Sequence, residues 1–265
     1  VIGVPKYLLL ALMLAFLLAG DVPRLNPAQR VALPYHYSLL AWEAGNLLSK
    51  WTHRLGRLFP WTYGPALEGR DLVLEYIRLG DEVRRLREEI DRAAAERQGG
   101  QTALAEWEGE LAHVMSVRDG LRGDVEEVIE STISAVLTEL DIASWGDLDY
   151  PPVDIRLDEP PKVLVTSPRD RIMRSHEALV SVDITVEERE VVEAALLEDE
   201  DLSAMVMNIG GVATYPAIVG GAGDLRSTLQ TTAHEWVHHY LVAHLRPLGL
   251  RVFTTPEMLV INETL

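Results

Sequence analysis

The stretch Thr232-Ala233-His234-Glu235-Trp236-Val237-His238-His239-Tyr240 sets the tightest limit on what this chain can fold into. Around it Leu229, Ala233, Trp236, Val237, Tyr240 and Leu241 recur at helical spacing, which predicts one helix running on from Leu225 behind an Asp224 N-cap. His234 and His238 then lie one turn apart on one face, and two imidazoles at i and i+4 can share one tetrahedral Zn2+. Glu235 beside the first is placed to take a proton from water, whose pKa a catalytic zinc lowers to about 7. The chemistry this predicts is hydrolysis of a peptide bond. The chain has no cysteine, so there are no disulfides and any metal must be held by His, Asp or Glu.

Two residues compete to be the third ligand. His244 has the spacing of the HExxHxxGxxH pattern, but that pattern needs a helix-breaking glycine where this chain has Leu241. With Leu241, Val242 and Ala243 in place and no proline before Pro247, the helix continues, and His244 points about 240° around the axis from His238. The other candidate is Glu263. After Pro247-Leu248-Gly249, Thr255-Pro256-Glu257 has the form of a new helix start, with Glu257 read as a charge in the first turn.

In its His-Glu-x-x-His helix followed by Asn262-Glu263, the chain resembles the gluzincin, or thermolysin-like, zinc metallopeptidases over roughly residues 203–265. The resemblance implies His234, His238 and Glu263 as metal ligands, Glu235 as the catalytic base and Zn2+ as the cofactor. The sequence ends two residues after Glu263, so a C-terminally truncated copy of the domain is expected.

Upstream, Lys162–Thr166 and Leu179–Ile184 read as strands and Glu187–Leu197 as a helix closed by the acidic run Glu198–Asp201. Ser203–Val219 reads as a strand with paired glycines, Gly210 and Gly211, which permit a bulge or a close backbone approach. An edge strand just before a catalytic helix can receive an extended peptide, which makes Gly210, Gly211, Ala213 and Tyr215 the candidate substrate-binding residues. Gly220 to Gly223 reads as a hinge.

The N-terminal half has a different character. Tyr7–Gly20 is an unbroken apolar run after Lys6, in the form of a signal peptide or, as the flanking residues favour, an uncleaved signal anchor. Residues 21–64 are rich in aromatics, and Leu40 to Leu58 have the spacing of an amphipathic helix. From 65 to 143 the pattern is that of a charged helical hairpin, with a seam of Leu79, Val83, Leu86 and Ile90, a tip at Gly99-Gly100 and a second break near Asp119-Gly120. Its charges read as a solvated face. Residues 144–161, dense in Asp, Gly and Pro, read as a linker to a metallopeptidase domain at 162–265.

The expected fold class is therefore α+β and mostly helical: a membrane anchor and helical hairpin, then a zincin-like domain with a small sheet and the His-Glu-x-x-His helix. A formal net charge of −17 argues against nucleic acid as a partner. The expected partners are a peptide or protein substrate, a membrane, and a second copy of the chain through the hairpin. The expected site is the extracytoplasmic face of a bacterial-type envelope. The competing reading is a non-enzymatic envelope or assembly protein that keeps a relic zinc site.

Overall fold

The computed structural model describes residues 25–46, 69–96, 101–142, 144–145, 148–149, 151–221 and 223–244. The apolar run at 7–20, most of the expected amphipathic helix and Glu263 lie outside the described residues. Among those that are described, no helix is long and apolar enough to cross a membrane. The architecture is α+β and mostly helical, with small sheets. It divides into two compact units, each drawn from separated stretches of sequence.

The first unit joins residues 25–36 to Lys162–Met207. Its short helix α1 (Pro27–Val31) begins with a reciprocal capping box, in which Asn26 and Gln29 exchange backbone and side-chain bonds. Strands β4 (Lys162–Pro168), β5 (His176–Val180) and β6 (Leu202–Asn208) form a sheet of order β5-β4-β6. Helix α4 (Val186–Glu200) starts at a second capping box, Thr185 with Glu188, and ends at Asp201 in the left-handed conformation with φ 52°. Ala28 and Ala32 pack with Leu164, Val180, Ile184, Val192 and Leu196 into one apolar core. The strand expected at 179–184 instead ends at Val180. There the Ser181 N–H leaves the ladder and donates to Tyr35 O at 2.8 Å, while Ile184 stays buried in the turn that follows.

The second unit, residues 37–161 and Asn208 onward, carries the His-Glu-x-x-His helix. Helices α2 (Gly69–Glu96) and α3 (Gln101–Glu139) pack against each other along the expected seam, with Leu79, Val83 and Leu86 against Val114. Further along, Val73 and Tyr76 meet Val125 and Ile129, as an antiparallel pairing requires. The break expected at Asp119-Gly120 does not occur. A Cβ at Gly120 would meet nothing within 4 Å, so the glycine sits on an open helix face, where it weakens the helix without ending it.

The Asp-, Gly- and Pro-rich stretch expected to be a linker contributes core strands. After the small hairpin of β1 (Ser144–Trp145) and β2 (Leu148–Asp149), β3 (Ile155–Leu157) pairs in parallel with β8 (Ala217–Val219). Strand β8 in turn pairs antiparallel with β7 (Gly211–Val212). Ile155, Leu157, Ala217 and Val219 are buried with Leu137 and Trp236.

Two charges of the hairpin are not solvated. Glu130 Oε1 accepts the Ile155 N–H and Glu126 Oε1 the Leu157 N–H, each at 2.8 Å. Glu126 is 1% exposed and its other oxygen faces Arg156 at 3.4 Å. Replacing Glu126 by Leu removes the acceptor while the Leu157 amide and the Arg156 guanidinium stay buried, and the expected loss is about 3 kcal/mol of unfolding free energy. Urea unfolding of Glu126→Leu against wild type measures it, and an unchanged midpoint would contradict the role given to this carboxylate.

Candidate metal centre

Helix α5 (Leu225–His244) starts where the sequence places its cap. Asp224 Oδ1 accepts the Ser227 N–H at 2.7 Å, and this backbone bond holds the Asp224 carboxyl below its ordinary value of 3.8. The loop before it is fixed from the hairpin side. Arg118 lies over the Tyr76 ring at 4.3 Å and donates from Nη2 to Gly221 O at 2.6 Å.

One face of α5, formed by Thr228, Thr232, Glu235, Trp236, His238 and Leu241, is buried. Trp236 fixes the rotation of the helix by donating from Nε1 to Pro151 O at 2.8 Å. One turn apart on the helix, His234 Nε2 and His238 Nε2 stand 3.1 Å apart, their rings near perpendicular at 81°. Glu235 Oε2 lies 4.0 Å from His238 Nε2, and both residues are 5% exposed. The three side chains offer ligand atoms within 4.8 Å of one another.

His234, Glu235 and His238 together could hold a metal ion, two imidazole nitrogens and a carboxylate being ordinary ligands for a divalent transition metal. His244 is exposed at the end of the unbroken helix, its Nδ1 3.1 Å from Tyr240 O, and it does not join the group. Glu263 is outside the described residues.

Of the candidate substrate residues, Gly211 lies directly against this group. A Cβ on Gly211 would fall 2.5 Å from Glu235 Oε1 and 2.8 Å from Ile218 O, so only glycine lets β7 approach the carboxylate this closely. Gly210 carries no such demand, since a Cβ there would meet Thr231 at an ordinary 3.6 Å. Ala213 and Tyr215 belong to the turn between β7 and β8, which His239 holds by donating from Nε2 to Thr214 O at 2.8 Å. Burial keeps the His239 imidazole below its ordinary value, which favours the neutral donor. Tyr215 is exposed and meets His239 edge-on at 5.5 Å.

Sequence reasoning missed the Gly211–Glu235 approach and the Arg118–Gly221 tie. The paired glycines signalled the first; nothing in the sequence marks the second. No family model, curated protein or solved structure matches the chain.

Gly211→Ala is expected to cost about 1–3 kcal/mol of stability through overpacking against Glu235, read as a lowered thermal midpoint. Asp224→Ala is expected to lower that midpoint at neutral pH. The wild-type carboxyl is depressed in the folded state, so its contribution is present above the unfolded value and lost as pH falls through the folded one. The deficit of the variant should therefore close in acid, and a pH-independent deficit would exclude the charge as its source.

Proposed function

We propose that this chain is a zinc-dependent metallopeptidase, of the gluzincin kind it resembles, held at a membrane by its N-terminal apolar run. The single observation that carries the reading is the 3.1 Å approach of His234 Nε2 and His238 Nε2 with the buried Glu235 carboxylate beside them. His234 and His238 would hold the metal, with Glu263 completing the set by resemblance. Bound zinc supplies Lewis acidity, making water acidic near neutral pH and polarising a carbonyl oxygen.

The protein groups account for the rest. Glu235, sequestered between α5 and β7, accepts the proton of the attacking water and returns it to the departing amine. Its burial removes competing solvent, and the Gly211 backbone against Oε1 limits its rotamers. Strand β7 offers an extended peptide a sheet edge that runs past Glu235. The edges of β3 and β5 are covered by the hairpin glutamates and by residues 35–36, and the Val206 amide of β6 is taken by Glu193 at 3.0 Å.

Purified protein should carry about one zinc per chain, lost on His238→Ala, as measured by elemental analysis. Glu235→Gln should retain the metal and lower peptide hydrolysis by about 10²–10⁴-fold. Zinc binding without cleavage of a broad peptide library by the wild type would favour a non-enzymatic envelope protein with a relic site.

A further inference from the structure

Six consecutive residues at the turn between β4 and β5, Arg169-Asp170-Arg171-Ile172-Met173-Arg174, are exposed. Ile172 is 105% exposed and Met173 45%. The turn does not tuck them away because its backbone is held by its own side chains. Ser167 Oγ donates to Arg171 O at 2.9 Å and accepts the Met173 N–H at 3.1 Å, and Thr166 Oγ1 lies 3.1 Å from Ser175 Oγ. An apolar pair is thus displayed on a fixed loop, which lowers the ordering cost of docking.

Within the turn's own sequence the charge has the opposite sign to the chain as a whole. Residues 168–176 hold three arginines and one aspartate, within a chain of formal net charge −17. Arg169 pairs with Asp201 at 3.2 Å, Arg171 stands 3.8 Å from Asp170, and Arg174 pairs with Glu177. All three pairs are solvent-exposed, of the kind that contributes little and exchanges readily for other anions.

The same unit contains residues 25–36, and only four residues, a span of five Cα–Cα steps, separate Gly20, the end of the apolar run, from Leu25. At no more than about 3.6 Å per residue, that tether is at most about 18 Å long. We propose that the β4–β5 tip is a second membrane contact, placing Ile172 and Met173 at the headgroup–acyl boundary of an anionic bilayer while Arg169, Arg171 and Arg174 meet lipid phosphates. The proposal rests on the anchor part of the preceding reading. It adds to a single apolar segment the basic patch that fixes how the unit lies on the surface.

The absence of cysteine makes the test direct. The 265-residue chain with Ile172→Cys carries one environment-sensitive fluorophore, and Glu187→Cys, near the start of α4, provides a control about 21 Å along the helix from Asp201. Both are mixed with vesicles of phosphatidylcholine alone or of equimolar phosphatidylcholine and phosphatidylglycerol. The label at 172 should shift to the blue on the anionic vesicles only, high salt should reverse the shift, and the label at 187 should stay unchanged. Adding Arg171→Gln and Arg174→Gln should weaken the response about 30-fold in lipid concentration.

Sedimentation with vesicles in high salt reports the anchor separately. Chains that sediment with an unshifted 172 label overturn the tip contact and leave the anchor standing. A salt-reversible shift in chains that do not sediment in high salt supports the tip and removes the anchor. No shift and no sedimentation overturn both, and equal shifts at 172 and 187 overturn the tip as the specific contact.

Discussion

Everything around the candidate metal centre depends on two carboxylates that hold a strand edge. Glu126 and Glu130 are one turn apart on α3, a rise of about 6 Å, while alternate amides along a strand are about 6.6 Å apart. That near match lets two successive glutamates on one helix face meet the two outward amides of β3, those of Ile155 and Leu157. Strand β3 supports the fully buried β8, β8 carries β7, and β7 lies against Glu235. The hairpin is therefore one wall of the sheet that shapes the site, and the polar atoms of this wall are as specific as its apolar ones.

This explains which parts of the fold were legible in the sequence. The helices α2, α3 and α5 follow from apolar spacing alone, and the cap of α5 from Asp224. Local signals carry these elements, so a linear reading finds them. Strand β3 was hidden because Ile155 to Leu157 is too short for periodicity to register and lies among prolines and aspartates that read as punctuation. Its strand character comes from β8, some sixty residues away, and from the glutamates of α3. The same long-range dependence made Glu126 and Glu130 look like surface charges. Their one visible signal is position: each follows directly after a core residue of the α3 stripe, Val125 or Ile129.

The site itself was legible where its geometry is helical. The i and i+4 relation of His234 and His238 is a property of α5 and needs only the helix to form. The continuation past Leu241, which leaves His244 exposed, follows from the absence of a breaker. What the sequence left open is what presses on the helix from outside: Trp236 reaching Pro151, His239 tying the 213–216 turn, and Gly211 giving Glu235 its wall. These contacts come from segments far apart in sequence, and only paired glycines hinted at one of them.

The interleaving of the two units bears on the order in which the chain can fold as it is made. Residues 25–36 leave the ribosome about 125 residues ahead of Lys162, where the rest of their unit begins. At about 5–20 residues per second that is a wait of roughly 6–25 seconds with an apolar surface and no partner. The α2–α3 hairpin, whose contacts are local, can form within that interval. The sheet of the second unit closes only once β8 has been added. Synthesis therefore presents a helical hairpin first and both cores late, leaving Ala28 and Ala32 to be shielded meanwhile by something other than their final neighbours.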